Sequence, residues 1–224
     1  MKVIKPSFQI RYPTENVRET VYSQIASAAR TCYKSEQAQS YENDIKLIKN
    51  LVKNNHQAML EHATISVVFL TDRGISHELV RHREASFAQE STRYCAYSKD
   101  RFDNQITYMS LTDAIELDPK TKGLDSDAKC QILATWLKAC EQAEKAYMKM
   151  IDLGCSPQVA RSVLNNSTKT ELVITANIRE WRHILSLRAA GTTGAPHPQM
   201  RELMLPLLNE FKQIMPELFG DIKA

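Results

Sequence analysis

Between Arg81 and Arg93 this chain places three arginines and a histidine within 13 residues: Arg81-His82-Arg83-Glu84-Ala85-Ser86-Phe87-Ala88-Gln89-Glu90-Ser91-Thr92-Arg93, followed by Tyr94. A guanidinium stays charged in a protein, and its planar fork pairs with phosphate in two-point fashion. Such a run cannot become core. The fold must present it where anions relieve the crowding. Two arrangements do so. One is a grip on a phosphate or pyrophosphate, with Arg81, Arg83 and Arg93 as charges and Ser91 as a hydroxyl donor. Backbone amides of a Gln89–Thr92 turn would add neutral donors. The other is a solvated face salt-bridged to Glu78, Glu84 and Glu90. Neither GxGxxG nor GxxxxGK[ST] occurs, so a glycine-rich phosphate loop is excluded. His82, between two arginines, should favour its neutral form.

The formal net charge is only +3, so the arginine cluster is a local feature. A nucleic-acid binder usually carries a domain-wide basic excess. At 224 residues the chain is expected to form a single domain over residues 1–224 with a sizeable core. Its five cysteines are widely spaced and form no CxxC pair, which suits reduced thiols and a cytoplasmic protein. No apolar run approaches the roughly 18 residues of a membrane span. His77-Glu78-Leu79-Val80-Arg81-His82 narrowly misses the zinc motif HExxH. Its second histidine falls at i+5, about 140° around a helix from the first, so no metal site is expected.

Hydrophobic spacing predicts strands over 2–11, 63–70 and 170–175. It predicts helices over 15–32, 41–54, 126–152, 177–190 and about 198–215. A short helix from Gly74 should run into Arg81, and Ser156-Pro157 marks another helix start. The 126–152 helix should turn Ile132, Leu133, Trp136, Leu137 and Cys140 to one face. Residues 98–123 read as an irregular excursion. Separated strands without βαβ alternation indicate an α+β fold.

A second constellation lies in Asn177-Ile178-Arg179-Glu180-Trp181-Arg182-His183-Ile184-Leu185-Ser186-Leu187-Arg188. On a helix, Asn177, Trp181, Ile184 and Arg188 share one stripe; Arg179 and His183 share another. The first stripe mixes an amide and a guanidinium with apolar groups, which is costly unless both are paired. Asn177 and Arg188 would stand about 16 Å apart along the axis, too far for one small ligand. An ordinary amphipathic helix with a C-terminal arginine favoured by the dipole remains open. Arg161 stands apart. Cys95 and Ser91 could be nucleophiles, but no base is fixed by spacing.

The Arg-His-Arg run, seven residues and a serine, with Arg-Tyr following, resembles the signature of the flavin-dependent thymidylate synthases. The likeness extends to His56, Glu61-His62, Glu78-Leu79-Val80, Arg161, Asn177-Ile178-Arg179, His183, Leu187-Arg188 and His197-Pro198-Gln199. It implies an α+β fold with a central, mostly antiparallel sheet and flanking helices. It implies reductive methylation of dUMP to dTMP with methylenetetrahydrofolate as one-carbon donor, FADH2 as hydride donor and NADPH as reductant of the flavin. It also implies a homotetramer whose active sites are shared between subunits. By the same likeness His56, Arg81, His82, Arg83, Asn177, Arg179 and His183 would hold FAD. Glu78, Gln89, Glu90, Ser91, Arg93 and Arg161 would hold dUMP. Arg188 would be catalytic, against the uracil carbonyl and N3. The chain departs from the commonest pattern at Glu78 (Gln is frequent), Ala88-Gln89 (Asn-Glu), His183 (Asn) and Cys32 (Ser). The competing reading is a nucleotide- or RNA-binding module using the arginines as a phosphate track. Tyr94, Tyr97 and Trp181 could stack bases there, though 7% aromatic content and the small net charge disfavour it.

Overall fold

A computed structural model describes residues 1–224, apart from the side chain of Arg101. The elements run β1 (Lys2–Ile4), β2 (Ser7–Tyr12), α1 (Val17–Tyr33), α2 (Tyr41–Lys53), β3 (Thr64–Asp72), α3 (Arg73–Leu79), β4 (Ala85–Gln89), β5 (Thr107–Met109), α4 (Thr112–Leu117), α5 (Ser126–Asp152), α6 (Pro157–Ala160), β6 (Lys169–Asn177), α7 (Ile178–Arg188), α8 (Pro198–Ile214) and α9 (Pro216–Phe219). The fold is α+β, as expected. Its four-stranded antiparallel sheet has the order β2-β3-β6-β4.

Packing divides the chain into two compact units. The first comprises Met1–Ser7, Phe69–Arg81 and Ala88–Leu172; the second comprises Phe8–Val68, His82–Phe87 and Val173–Ala224. The sheet strands are dictated by period-two burial. Ile65, Val67 and Phe69 alternate inward along β3, and Thr170, Leu172, Ile174 and Ala176 along β6.

In the first unit β1 pairs in parallel with β5, Val3 opposite Tyr108. A core of Tyr97, Ile106, Tyr108, Cys140, Tyr147 and Ala160 forms here. The Tyr108 hydroxyl donates to the Cys140 carbonyl at 2.9 Å, so its polar tip is satisfied while its ring packs. Helix α5 has the predicted bounds, but its apolar face differs from expectation. Of 27 residues only Cys140 and Tyr147 are buried. Ile132, Leu133 and Trp136 are half-buried and Leu137 is exposed.

The second unit is a helical cluster. Trp181 on α7 meets Phe211 of α8 edge to face, and Phe211 meets Phe219 of α9. Trp181 Nε1 donates to the Ile65 carbonyl of β3 at 2.9 Å, which ties α7 to the strand. Arg18 and the Tyr22 hydroxyl of α1 both bond the Glu217 carboxylate of α9.

Three expectations need correction. The single strand over 2–11 is two strands, broken at Lys5-Pro6, because proline offers no ladder N–H. Residues 98–123 are not simply irregular: they hold β5 and α4. The Arg–Glu-rich run hides strand β4, whose Ala85, Phe87 and Gln89 alternate inward at half depth.

Candidate active site

In the second unit, α7 issues directly from β6. The Asn177 side chain accepts the Glu180 N–H at 2.8 Å and caps the helix, satisfying an otherwise orphaned donor. Trp181 and Ile184 are fully buried. At the last residue of the helix, Arg188 donates from Nε to His82 Nε2 at 3.1 Å. Both polar ends of the mixed stripe are therefore paired, which resolves the burial cost seen in the sequence.

His82 is 6% exposed. Its ring meets that of His183 edge-on at 6.1 Å, and its Nδ1 lies 3.4 Å from Glu180 Oε1. Burial, then the nearby Arg188 and His183, pulls its pKa down to about 4. The neutral imidazole anticipated from sequence is found, but the flanking Arg81 and Arg83 are not the cause. Glu180 is pushed above its ordinary range by burial. Sequence reasoning missed Glu180; its i+3 spacing from Asn177 was the available signal.

Two cavities open in this unit. One, of about 480 Å³, is lined by His56, Cys32, Tyr33, Met59 and Arg179 among others. The other, of about 580 Å³, is lined by Asn177, Arg179, His183, Glu61, Glu84 and Glu180 among others. Arg179 and Gln57 line both. Arg179 is held by Glu61 at 2.5 Å. Four of the expected flavin residues, His56, Asn177, Arg179 and His183, thus line these cavities. His82 instead lies under Arg188. Arg83 is exposed. Arg81, also exposed, belongs to the first unit. Among the described residues neither Arg81 nor Arg83 enters an ion pair, and Glu90 pairs with Lys169.

In the first unit, Glu78 sits half-buried on α3 and Gln89 closes β4. The Gln89 amide donates to the hydroxyls of Ser76 at 2.8 Å and Thr170 at 3.2 Å. A carboxylate could not make these donations, which gives glutamine at this position a structural reason. Glu90 is committed internally: its carboxylate takes Lys169 at 2.6 Å and the Glu171 N–H, and its own N–H goes to the Glu171 carbonyl. That amide is therefore not free for a phosphate. The Ser91 hydroxyl accepts the Arg93 N–H. Arg93 bonds Gln158 at 3.1 Å and lies over the Tyr94 ring.

Arg161 donates to the Thr92 hydroxyl at 3.1 Å. With Arg73 and His77 it lines a third cavity of about 450 Å³. Arg73 escaped sequence reasoning, which weighed His77 only as a zinc ligand, although their i,i+4 spacing on a helix places them on one face. Among the described residues none of Arg73, Arg93 and Arg161 is paired with a carboxylate, so their charge is available to an anion. No three His, Cys, Asp or Glu side chains form a ligand set for a metal among the described residues. No described helix is long and apolar enough to cross a membrane.

The sequence profile of the family described as "Thymidylate synthase complementing protein" matches residues 17–217. Among curated relatives, the flavin-dependent thymidylate synthase of Mycobacteroides abscessus is 29% identical over 206 residues, covering 88% of this chain and 78% of that protein. The enzyme of the same name from Geobacter sulfurreducens is 29% identical over 205 residues, covering 88% and 80%. Among solved structures, the UMP/dUMP methylase PolB from Streptomyces cacaoi, bound with 5-Br dUMP, superposes with a TM-score of 0.78 at 22% identity. It covers 98% of this chain and 96% of that one, a likeness of fold.

Proposed function

The chain belongs to the thymidylate synthase complementing protein family, that of the flavin-dependent thymidylate synthases, and from that premise we propose that it methylates dUMP reductively to dTMP. The observation that carries the reading is the family match over residues 17–217. Methylenetetrahydrofolate gives the one-carbon unit, FAD is the flavin and NADPH reduces it.

The residues present suit a flavin dinucleotide. The second unit's two cavities share a guanidinium, that of Arg179, suited to a pyrophosphate, and add His56, Asn177 and His183 as polar or stacking groups. Arg81 and Arg83 are given to the flavin by the family likeness alone. When bound, the flavin supplies the hydride chemistry. The chain supplies binding, orientation and charge.

For the nucleotide, Arg93 and Arg161 keep their charge because their partners in the chain are neutral. They would hold the phosphate, with the Ser91 hydroxyl beside them; Arg73 and His77 line the same cavity as Arg161. Glu78, Gln89 and Glu90 complete the nucleotide-binding set. Arg188, oriented by a neutral imidazole, would face the uracil carbonyl and N3. There it stabilises negative charge developing on the pyrimidine and so raises the nucleophilicity of C5. The family likeness supports a homotetramer with shared sites, and the exposed Leu137 of α5 offers it an apolar contact. We place the enzyme in the cytoplasm.

The direct experiment is the visible spectrum of the purified protein, followed by anaerobic NADPH with and without dUMP. An oxidised-flavin spectrum that bleaches with NADPH, at a rate altered by dUMP, is expected. A colourless protein that takes up no added FAD would overturn the proposal.

A further inference from the structure

We infer that Glu180 is a positioning residue: through the imidazole of His82 it fixes the direction in which Arg188 presents its guanidinium. This rests on the assignment of Arg188 to the pyrimidine, while the geometry behind it stands in the chain itself.

The argument begins with hydrogen-bond capacity. An arginine Nε–H is only ever a donor. Its contact with His82 Nε2 at 3.1 Å therefore requires a lone pair on that nitrogen. A neutral imidazole with a lone pair on Nε2 carries its proton on Nδ1. Nδ1 is the atom that faces Glu180 Oε1 at 3.4 Å. The Nε contact requires this tautomer, and the approach of Nδ1 to the Glu180 carboxyl agrees with it. With the proton on Nε2, the ring would turn an N–H at Arg188 and a lone pair at a carboxylate, which is repulsive at both ends.

Burial makes the choice matter. His82 is 6% and Glu180 8% exposed, so water cannot substitute for a missing partner, and an unpaired buried polar atom is costly. Glu180 is itself held in place. Its backbone N–H is taken by the Asn177 cap, and its neighbour Trp181 is fully buried and bonded to Ile65. The chain of support thus starts at the head of α7, passes through the imidazole, and returns to the last residue of the same helix. Attachment at Nε sets the plane of the planar guanidinium. His82 is accordingly assigned here to Arg188, where the family likeness gave it to the flavin. The groups facing the imidazole are Glu180, His183 and Arg188, all from α7.

The first test is nitrogen-15 NMR of the imidazoles, with His82 assigned by the signal lost in His82→Gln. His82 is expected as the neutral Nδ1–H tautomer at pH 7. A proton on Nε2 would overturn the inference in the unmodified protein. The second test compares Glu180→Leu with Glu180→Gln. Leucine fills the site without an acceptor, so the His82 signals should move toward a mixture of tautomers. The turnover of dUMP should fall by up to about 100-fold. Glutamine can still accept from Nδ1–H and should keep the tautomer and most of the turnover. An unchanged tautomer in Glu180→Leu, or equal losses in both variants, would refute the positioning role. If instead Arg188→Ala turns over dUMP normally while the tautomer shifts as expected, the relay stands and the role given to Arg188 fails.

Discussion

The arginines of the two candidate sites are partnered differently. In the first, Arg93 leans on the Gln158 amide and Arg161 on the Thr92 hydroxyl. These neutral partners fix a guanidinium without cancelling its charge. In the second, Arg179 is paired with Glu61, Arg182 with Asp221, and Arg188 is tied to an imidazole backed by Glu180. A neutral partner, whether an amide, a hydroxyl or the imidazole under Arg188, leaves a guanidinium's charge to an anion; a carboxylate partner, as at Arg179 and Arg182, must be shared or displaced first. The same residue type serves both ends, and only its partner tells which.

The contrast is broken most forcefully at Arg188. Arg188→Ala should cut dTMP formation on the order of 1000-fold, the scale of losing one preorganised charge donor. The purified protein should stay yellow, because the cavities assigned to the flavin do not depend on this side chain. Loss of colour in an activity-and-spectrum measurement would place Arg188 in the flavin site instead.

His82 gives the next effect, on stability. Its folded pKa of about 4 lies below the ordinary 6.5. Between those values the unfolded chain binds a proton that the folded chain does not. Stability is therefore fully present above about pH 6.5 and lost as pH falls toward 4, by about 3 kcal/mol at most. Urea midpoints from pH 7 to 4 should show that slope, and His82→Gln should flatten it. An unchanged slope would mean that His82 is accessible to protons in the fold.

The smallest effect sharpens the first unit. Arg161→Ala should weaken dUMP binding by about 1.5–3 kcal/mol, as for a hydrogen bond to a charged group. Calorimetry should find the loss with dUMP and little change with deoxyuridine, which lacks the phosphate. Equal losses with both would place Arg161 away from the phosphate.

Much of this was legible in the chain. Helix α5 was readable to its ends because 27 residues average over local accidents and Asp125 caps the start. Helix α7 was legible from its stripe, and the cost of burying Asn177 and Arg188 correctly demanded partners. Strand β5 was not legible: three residues carry almost no periodic signal, and its partner β1 lies about a hundred residues away. Strand β4 was masked by the charged residues that flank it, Arg81, Arg83 and Glu84 before it and Glu90 after it. Within the site, His82 and Arg188 were each visible, but nothing in the spacing told that they touch across 106 residues. Glu180 and Arg73 lacked any mark beyond helical spacing, because a supporting side chain is defined by what it meets in three dimensions.

Helix α7 starts without a loop from β6, so its two ends are coupled like the ends of a key. The Asn177 cap sets the phase, and each residue thereafter advances it by about 100°. Inserting or deleting one residue between Asn177 and Arg188 would leave a helix of almost the same length and composition, yet swing Arg188 a quarter-turn or more from His82. Within this span the chain can vary its side chains but not its count. Length here is information, whereas in the turn that begins at Gly191 it is only distance.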